Sequence, residues 1–382
     1  MKSNGVEVSV VMPCLNEEKA IGLCVEKASR ALAQNGIKGE VVVADNGSTD
    51  DSVRIAKSLG ARVVHEPVLG YGSAYMRGIE AARGKYIVMG DSDNTYDFSE
   101  LHKFLEPLQN GYDFVMGSRL KGTIFPGAMP WLHRYVGVPI LTGILNLLFR
   151  TNVSDAHCGM RSFTKEAHEK MRLQTTGMEF ASEMIIKAAK AGLKLTEVPI
   201  DYYPRVGESK LHSFRDGWRH LRFMLMYSPT YLFLIPGLLS LLTGFTLLLA
   251  LLRGPVRVVG LFFDIHYMVL GSLLAILGFQ TINLGISAKV YARTEHFDTE
   301  SRIIDTLLRY FNLERGVASG VALCFSGSMI FIYLLHVLWS GAGGFSELLH
   351  LREAIMAMTL MVIGVQTIFS SWFLSILHIR RV

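Results

Sequence analysis

Residues 231–252, 267–288, 317–339 and 354–377 contain no Asp, Glu, Lys or Arg. Each stretch exceeds the roughly 20 residues that carry a helix across a hydrocarbon core of about 30 Å. Within such a core the backbone must satisfy its own hydrogen bonds, which a helix does and an irregular chain does not. All four stretches lie beyond Ser228, whereas charged and alternating sequence lies before it. Buried helices of a soluble domain are the alternative, but four uncharged segments of this length in one half of a chain argue against it. The pattern predicts three parts: a domain over residues 1–212, an amphipathic juxtamembrane helix over 213–229, and a four-helix transmembrane domain over 230–382.

The short loops set an orientation. Lys and Arg number two after the first span (Arg253, Arg257), five after the second (Lys289, Arg293, Arg302, Arg309, Arg315), one after the third (Arg352) and two in the tail (Arg380, Arg381). By the positive-inside bias this places both termini, and with them the N-terminal half, in the cytoplasm of an inner or plasma membrane protein. The first residues show no apolar core with a small-residue cleavage site, so no signal peptide is expected. Cys14, Cys24, Cys158 and Cys324 are scattered without CxxC spacing, which suits a reducing compartment and argues against a thiolate metal site. A net charge of +5 without a concentrated basic run points to an anionic bilayer rather than nucleic acid.

The N-terminal half reads as α/β. Residues 6–12 form an apolar strand ending at Pro13, and helical spacing follows in "NEEKAIGLCVEKASRAL". The same order recurs with strands at 41–43, 62–64 and 85–90 and helices from about Asp51 and over 72–82. Strands alternating with helices predict βαβ units and a mostly parallel, Rossmann-like sheet. Ligands of such sheets bind beyond the carboxyl ends of the strands, where Pro13, Asp45 and Asp91 fall. In "YIVMGDSDNTYDF" the strand ends on Asp91 and Asp93, whose like charges repel and raise a pKa. Mg²⁺ or Mn²⁺ resolves that conflict, being held by one or two carboxylates plus substrate phosphates. A solvated acidic turn is the plain alternative for an isolated D-x-D.

The motif is not isolated. "VSVVMPCLNEEKAI", "VVVADNGSTDDS", "GYGSAYMRGIEAARGKYIVMGDSDNTYD", "GSRL", "DAHCGMRSF", "EFASEMIIKA" and "VPIDYYPRVGESKLHSFRDGWRHLRF" occur in this order. Together they resemble the family 2 inverting glycosyltransferases with a GT-A fold, in the polyprenyl-phosphate (dolichol-phosphate) hexose synthase branch. The resemblance covers residues 5–228 and implies that Pro13, Leu15, Glu17, Asp45 and Gly70 bind the nucleotide sugar. It also implies that Asp91, Ser92 and Asp93 meet the diphosphate and a Mg²⁺ or Mn²⁺ ion, and that Asp155 orients or deprotonates the acceptor. Asn46 stands where many relatives carry a second Asp, and Thr95 where some mannose synthases carry a Gln metal ligand. Glycines 70, 72 and 78 entering a helix also permit a dinucleotide-binding loop, although no acid follows at the ribose position.

An acceptor phosphate has a second pKa of about 6, so its oxygen is anionic at neutral pH and needs cations more than a base. Arg119, Arg134, Arg205, Ser209 and Lys210 are the candidates, Arg for bidentate pairing and Lys as a point charge. His157 offers a second proton acceptor near Asp155, Arg161 a partner for Asp155 or phosphate, and Glu179 with Glu183 a hold on sugar hydroxyls. Residues 136–149 are apolar but too short to span, so they rest at the membrane interface or in the core. The "SRIIDTLLRYF" segment is similarly two-faced. The reading is transfer of one hexose, UDP-glucose before GDP-mannose, to a polyprenyl or dolichyl phosphate by a homo-oligomeric membrane enzyme. Alternatives are a processive polysaccharide synthase, whose Q-x-x-R-W motif is missing here, and a non-catalytic sugar-nucleotide binder.

Overall fold

The structure is a computed structural model and describes residues 5–207, 213–294, 312–340 and 350–378. It separates into two compact units, Met1–Met224 and Leu225–Val382.

The first unit is built on a seven-stranded sheet in the order β3-β2-β1-β4-β6-β5-β7. Strands β1 (Val8–Cys14), β2 (Gly39–Asp45), β3 (Arg62–His65) and β4 (Tyr86–Met89) run parallel, joined by helices α1 (Ile21–Gln34), α2 (Ser52–Ser58) and α3 (Tyr71–Ala81). Every residue of β4 is buried, as expected of a central strand covered on both faces. Helix α4 (Leu101–Gln109) leads to β5 (Phe114–Ser118), and α5 (Val138–Phe149) precedes β6 (Arg161–Thr164). β6 inserts antiparallel between β4 and β5, with Met89 opposite Arg161. Helices α6 (Lys165–Met171) and α7 (Phe180–Lys190) then lead to β7 (Leu195–Pro199), parallel to β5 at the edge. The mostly parallel α/β sheet of a GT-A fold is therefore present. Because β2 and β3 extend from one side of β1 and β4 lies on the other, strand order reverses at β1. A crevice opens beyond the carboxyl ends of β1 and β4 at such a switch point.

Two segments flank this sheet with divided faces. Helix α5 buries Val138, Thr142 and Leu145 and exposes Ile140 and Leu147, so it is both packed and open rather than one or the other. Helix α8 (Ser213–Met226) buries His220, Phe223 and Met224 while leaving Phe214 and Trp218 exposed. The "SRIIDTLLRYF" segment lies outside the described residues.

In the second unit, four helices are long and apolar enough to cross a membrane: Thr230–Leu251, Ile265–Arg293, Leu313–Trp339 and Leu351–Leu377. The first contains α9 (Ile235–Leu251); the others belong to α10 (Ile265–Thr294), α11 (Leu313–Trp339) and α12 (Leu351–His378). Small residues let the backbones touch, the usual device where lipid removes the hydrophobic drive between helices. A Cβ on Gly244 would lie 2.4 Å from the Ala275 nitrogen, and one on Gly364 2.7 Å from the Gly320 oxygen. These contacts join α9 to α10 and α11 to α12. Helices α10 and α12 are tied by polar groups instead: Ser272 and Thr359 share a 2.7 Å hydrogen bond, and Arg352 pairs with Asp264. A short hairpin of β8 (Val256–Val258) and β9 (Leu261–Phe263) fills the turn after α9.

Candidate active site

The crevice gathers side chains from three strand ends. After β4, Asp91 Oδ1 accepts hydrogen bonds from the Tyr71 and Tyr75 hydroxyls, each at 3.0 Å. Burial, followed by the charge of Asp93, pushes the Asp91 carboxyl up to about 6 despite those donors. Asp93 Oδ1 accepts from the Thr95 amide at 3.1 Å and its hydroxyl at 2.6 Å, while Oδ2 lies 3.1 Å from Arg205 Nη1. The other terminal nitrogen of Arg205 bonds Glu17, just beyond β1. Ser92 donates to the Pro13 carbonyl at 2.6 Å and so ties the loop after β4 to the end of β1.

At the end of β2, Asp45 Oδ1 accepts from the Ser48 amide at 3.1 Å, and its Oδ2 is 3.0 Å from His65 Nδ1. Burial alone would raise this carboxyl, but the bonds from Ser48, His65 and Gly47 outweigh it and hold it below the usual carboxylate range. Asn46 faces elsewhere. Its amide donates to the carbonyls of Glu66 and Val68, and its oxygen accepts from the Gly70 amide at 2.7 Å, so it clamps the loop entering α3.

The glycine-rich entry to α3 is a packing site. Amides of Gly72 and Ser73 donate to the Thr176 carbonyl at 2.9 and 3.2 Å, which occupies the helix N-terminus that a dinucleotide phosphate would need. A Cβ on Gly70 would lie 2.2 Å from the Thr176 oxygen, and one on Gly72 2.2 Å from the Thr175 oxygen. Gly70, expected at the nucleotide, is thus held by close packing against the 175–176 backbone. Gly72→Ala is expected to lower stability by about 1–3 kcal/mol through overpacking, read as a fall in melting temperature; an unchanged melt would contradict this packing.

Family profiles and relatives match both halves of the chain. The description "Glycosyl transferase family 2" matches residues 9–172, and "Glycosyltransferase family 2 C-terminal transmembrane region" matches residues 286–378. The low-salt glycan biosynthesis hexosyltransferase Agl6 of Haloferax volcanii is 45% identical over 372 residues, covering 96% of this chain and 88% of that one. The chain belongs to glycosyl transferase family 2. A dolichyl-phosphate hexose transferase of the same organism is 36% identical over 213 residues, 55% of this chain and 89% of that one. A solved structure of glucosyl-3-phosphoglycerate synthase from Mycobacterium tuberculosis with Mn²⁺ and UDP is 24% identical, with a TM-score of 0.47 over 58% of this chain and 79% of that one.

Several residues expected at the site of this glycosyltransferase are engaged by neighbouring side chains or backbone. Asp155 is fully buried and both of its oxygens bond Arg119: Nε donates to Oδ2 at 2.7 Å and Nη2 to Oδ1 at 2.8 Å. In this arrangement the Asp155 carboxylate and the Arg119 guanidinium satisfy each other. Arg161 bonds neither; it donates to the carbonyls of Cys158, Ala181 and Ala156. Glu183 is also buried, pairing with Lys187 and accepting from the Thr175 amide and hydroxyl, so it holds the 174–175 loop rather than a sugar. Thr95 donates its hydroxyl proton to Asp93 Oδ1 at 2.6 Å and so orients the carboxylate beside which it was expected as a third metal ligand. His157 packs edge-on to His220 with ring centroids 4.6 Å apart, and burial, then His220, pushes its pKa well below the ordinary value. That leaves it a neutral ring in a packed site.

Other expected residues lie outside this cluster. Arg134 sits over the Tyr135 ring at 5.3 Å, and Glu179 lies 3.9 Å from Arg219. Ser209 and Lys210 fall outside the described residues. Among the described residues no three His, Cys, Asp or Glu side chains form a metal cage. Asp91 and Asp93 nevertheless fit Mg²⁺ or Mn²⁺, which bind through one or two carboxylates with substrate phosphates completing the shell.

Tyr71, Tyr75, His65 and Glu197 were not singled out from sequence. Glu197 Oε1 accepts from the Ser154 amide at 2.7 Å and the Ser154 hydroxyl at 3.1 Å, supporting the loop that carries Asp155. The i, i+4 spacing of Tyr71 and Tyr75 on α3 was the available signal for a shared target.

Proposed function

We propose that this membrane glycosyltransferase moves one hexose from a nucleotide sugar to the phosphate of a polyprenyl or dolichyl phosphate, with inversion. The observation that carries the reading is the carboxylate row at one sheet edge, Asp45 after β2 and Asp91 with Asp93 after β4, in a chain with four apolar spanning helices. Asp45 faces the base or ribose, with Pro13, Leu15 and Glu17 lining the nucleotide, and Asp91, Ser92 and Asp93 meet the diphosphate. The names of the two Haloferax relatives support a hexosyl group, and one supports a dolichyl-phosphate acceptor. UDP-glucose is the first donor to test and GDP-mannose the second. Residues 1–212 supply catalysis on the cytoplasmic face, 213–229 the juxtamembrane helix, and 230–382 the spans. The exposed Phe214 and Trp218 of α8, with Arg215 and Arg222, suit an anionic headgroup layer.

In this reaction an acceptor phosphate oxygen attacks the anomeric carbon as the bond from that carbon to the donor diphosphate breaks, and the electron pair leaves with the nucleoside diphosphate. The nucleophile is already anionic, so no side chain must remove a proton. A buried, paired Asp155 is compatible with such chemistry. The chain's own groups align the reactants, which converts an encounter into a positioned displacement. A divalent ion at Asp91 and Asp93 would neutralise charge building on the leaving diphosphate.

The test is transfer of radiolabelled sugar into chloroform-extractable lipid by the purified full-length protein, with polyprenyl phosphate and a panel of UDP- and GDP-sugars. One donor should label lipid, and EDTA should abolish the signal. Bound nucleotide without labelled lipid from any donor would sink the synthase reading.

A further inference from the structure

The Arg205 guanidinium joins two carboxylates from different strand ends, bonding Glu17 through Nη2 and lying 3.1 Å from Asp93 Oδ2 through Nη1. Both carboxylates are 10% exposed and Arg205 is 23% exposed, so solvent screens this triad less than a surface pair. The backbone beside it is fastened to the same loop: the Tyr203 amide donates to the Thr95 carbonyl at 3.0 Å and the Val206 amide to the Asp93 carbonyl at 3.1 Å. Arg205 is therefore presented to Asp93 from a strap bonded on both sides of it.

Two details point to a competing state. Asp93 Oδ1 already accepts two hydrogen bonds from Thr95, so the oxygen that Arg205 holds is the less encumbered one for an incoming cation. Among the described residues Arg205 Nε is buried without a hydrogen-bond partner, so the pairing there leaves one donor unsatisfied at a free-energy cost. A diphosphate offers a guanidinium a bidentate partner of higher charge than a lone carboxylate.

We propose that Arg205 is the resident counter-cation of the donor site: it holds Asp93 and Glu17 until a nucleoside diphosphate arrives, and thereby makes divalent-cation binding depend on nucleotide. This rests on the reading of Asp93 as the carboxylate shared by diphosphate and metal. It moves Arg205 from the acceptor side, where its place among the basic residues suggested it, to the donor side. Linkage is reciprocal, so the cation should tighten nucleotide binding by the factor that nucleotide tightens the cation.

The experiment is Mn²⁺ binding to the full-length protein in detergent, read by electron paramagnetic resonance, without nucleotide and with UDP. A contact closed in about nine molecules of ten hides about tenfold of affinity. Arg205→Ala should therefore bind Mn²⁺ about tenfold more tightly than wild type without nucleotide, and UDP should add less in the variant. Arg205→Lys should fall between, because an ammonium does not span both carboxylates as a planar fork does. Equal or weaker nucleotide-free Mn²⁺ binding in whichever variant melts at the wild-type temperature would overturn the proposal. Sugar-transfer assays can fail, or the donor base can differ, without altering this nucleotide-free comparison.

Discussion

Asp155→Ala is expected to destabilise the protein by about 3–5 kcal/mol, the usual cost of stranding one charge of a buried pair. The variant leaves the Arg119 guanidinium 7% exposed and deprives it of both carboxylate bonds, with Tyr202, whose ring lies at 5.1 Å, a neutral neighbour. The Asp155 carboxyl is lowered in the folded state: burial would raise it, and the charge and hydrogen bonds of Arg119 more than reverse that. A depressed carboxyl contributes stability that is complete above its unfolded value near 3.9 and is lost as pH falls through the lower folded value. The pair's contribution should thus persist at neutral pH and decline progressively below about pH 4. Differential scanning fluorimetry of the detergent-solubilised protein measures both effects. An apolar replacement of the whole pair, Arg119→Met with Asp155→Leu, should recover much of the lost stability. If Asp155 is structural, activity should recover with folding in that double variant. A catalytic base would leave it folded and inactive.

The opposing assignment illustrates what the sequence withheld. Arg161 lies six positions from Asp155 and was the nearer candidate partner, yet Arg119, at 36 positions' separation, makes the pair. Charge complementarity is written in composition, but which arginine meets which carboxylate depends on sheet register. β6 pairs antiparallel with both β4 and β5, which brings the end of β5 beside the loop leading into β6. The four residues of β6, Arg161–Thr164, have one large apolar side chain and no alternating pattern, so nothing local announces a strand. The parallel half was legible for the opposite reason. β1, β2 and β4 are apolar runs followed by helices with periodic faces, and both signals come from within a few residues.

The same distinction separates the parts of the site. The D-x-D was visible because a strand ending on adjacent like charges is unfavourable without a counterion, whatever the rest of the fold does. What satisfies those charges was hidden. Tyr71 and Tyr75 come from the preceding helix, and Arg205 from a strap more than a hundred residues further on. Asn46 was visible as a departure, but its meaning was not: its three bonds to the 66–70 loop explain why an amide, carrying both donors and an acceptor, suits that position. The membrane spans were the easiest part, since a stretch without charge and longer than the bilayer is constrained by solvent rather than by partners.

Asp93→Ala should reduce turnover by about a thousandfold or more, equivalent to roughly 4 kcal/mol of transition-state stabilisation. Three groups converge on this carboxylate: the Thr95 amide and hydroxyl hold one oxygen and Arg205 approaches the other. Its removal takes away a metal carboxylate and frees Arg205 from its position at the same time. Thr95→Val, which deletes only the 2.6 Å hydroxyl bond and leaves the amide bond, should cost nearer tenfold. The Asp45 end of the site is held by Ser48, Gly47 and His65 and owes nothing to Asp93. Nucleotide affinity measured without divalent ion should therefore not fall in Asp93→Ala, and should rise to the extent that Arg205 is released to the diphosphate, while the gain on adding Mn²⁺ disappears. Calorimetric titration with UDP in EDTA and then in Mn²⁺ separates the two. Retention of more than about a tenth of wild-type transfer would remove Asp93 from the reaction, because losing a carboxylate that holds the charge-neutralising cation should cost at least a few kcal/mol.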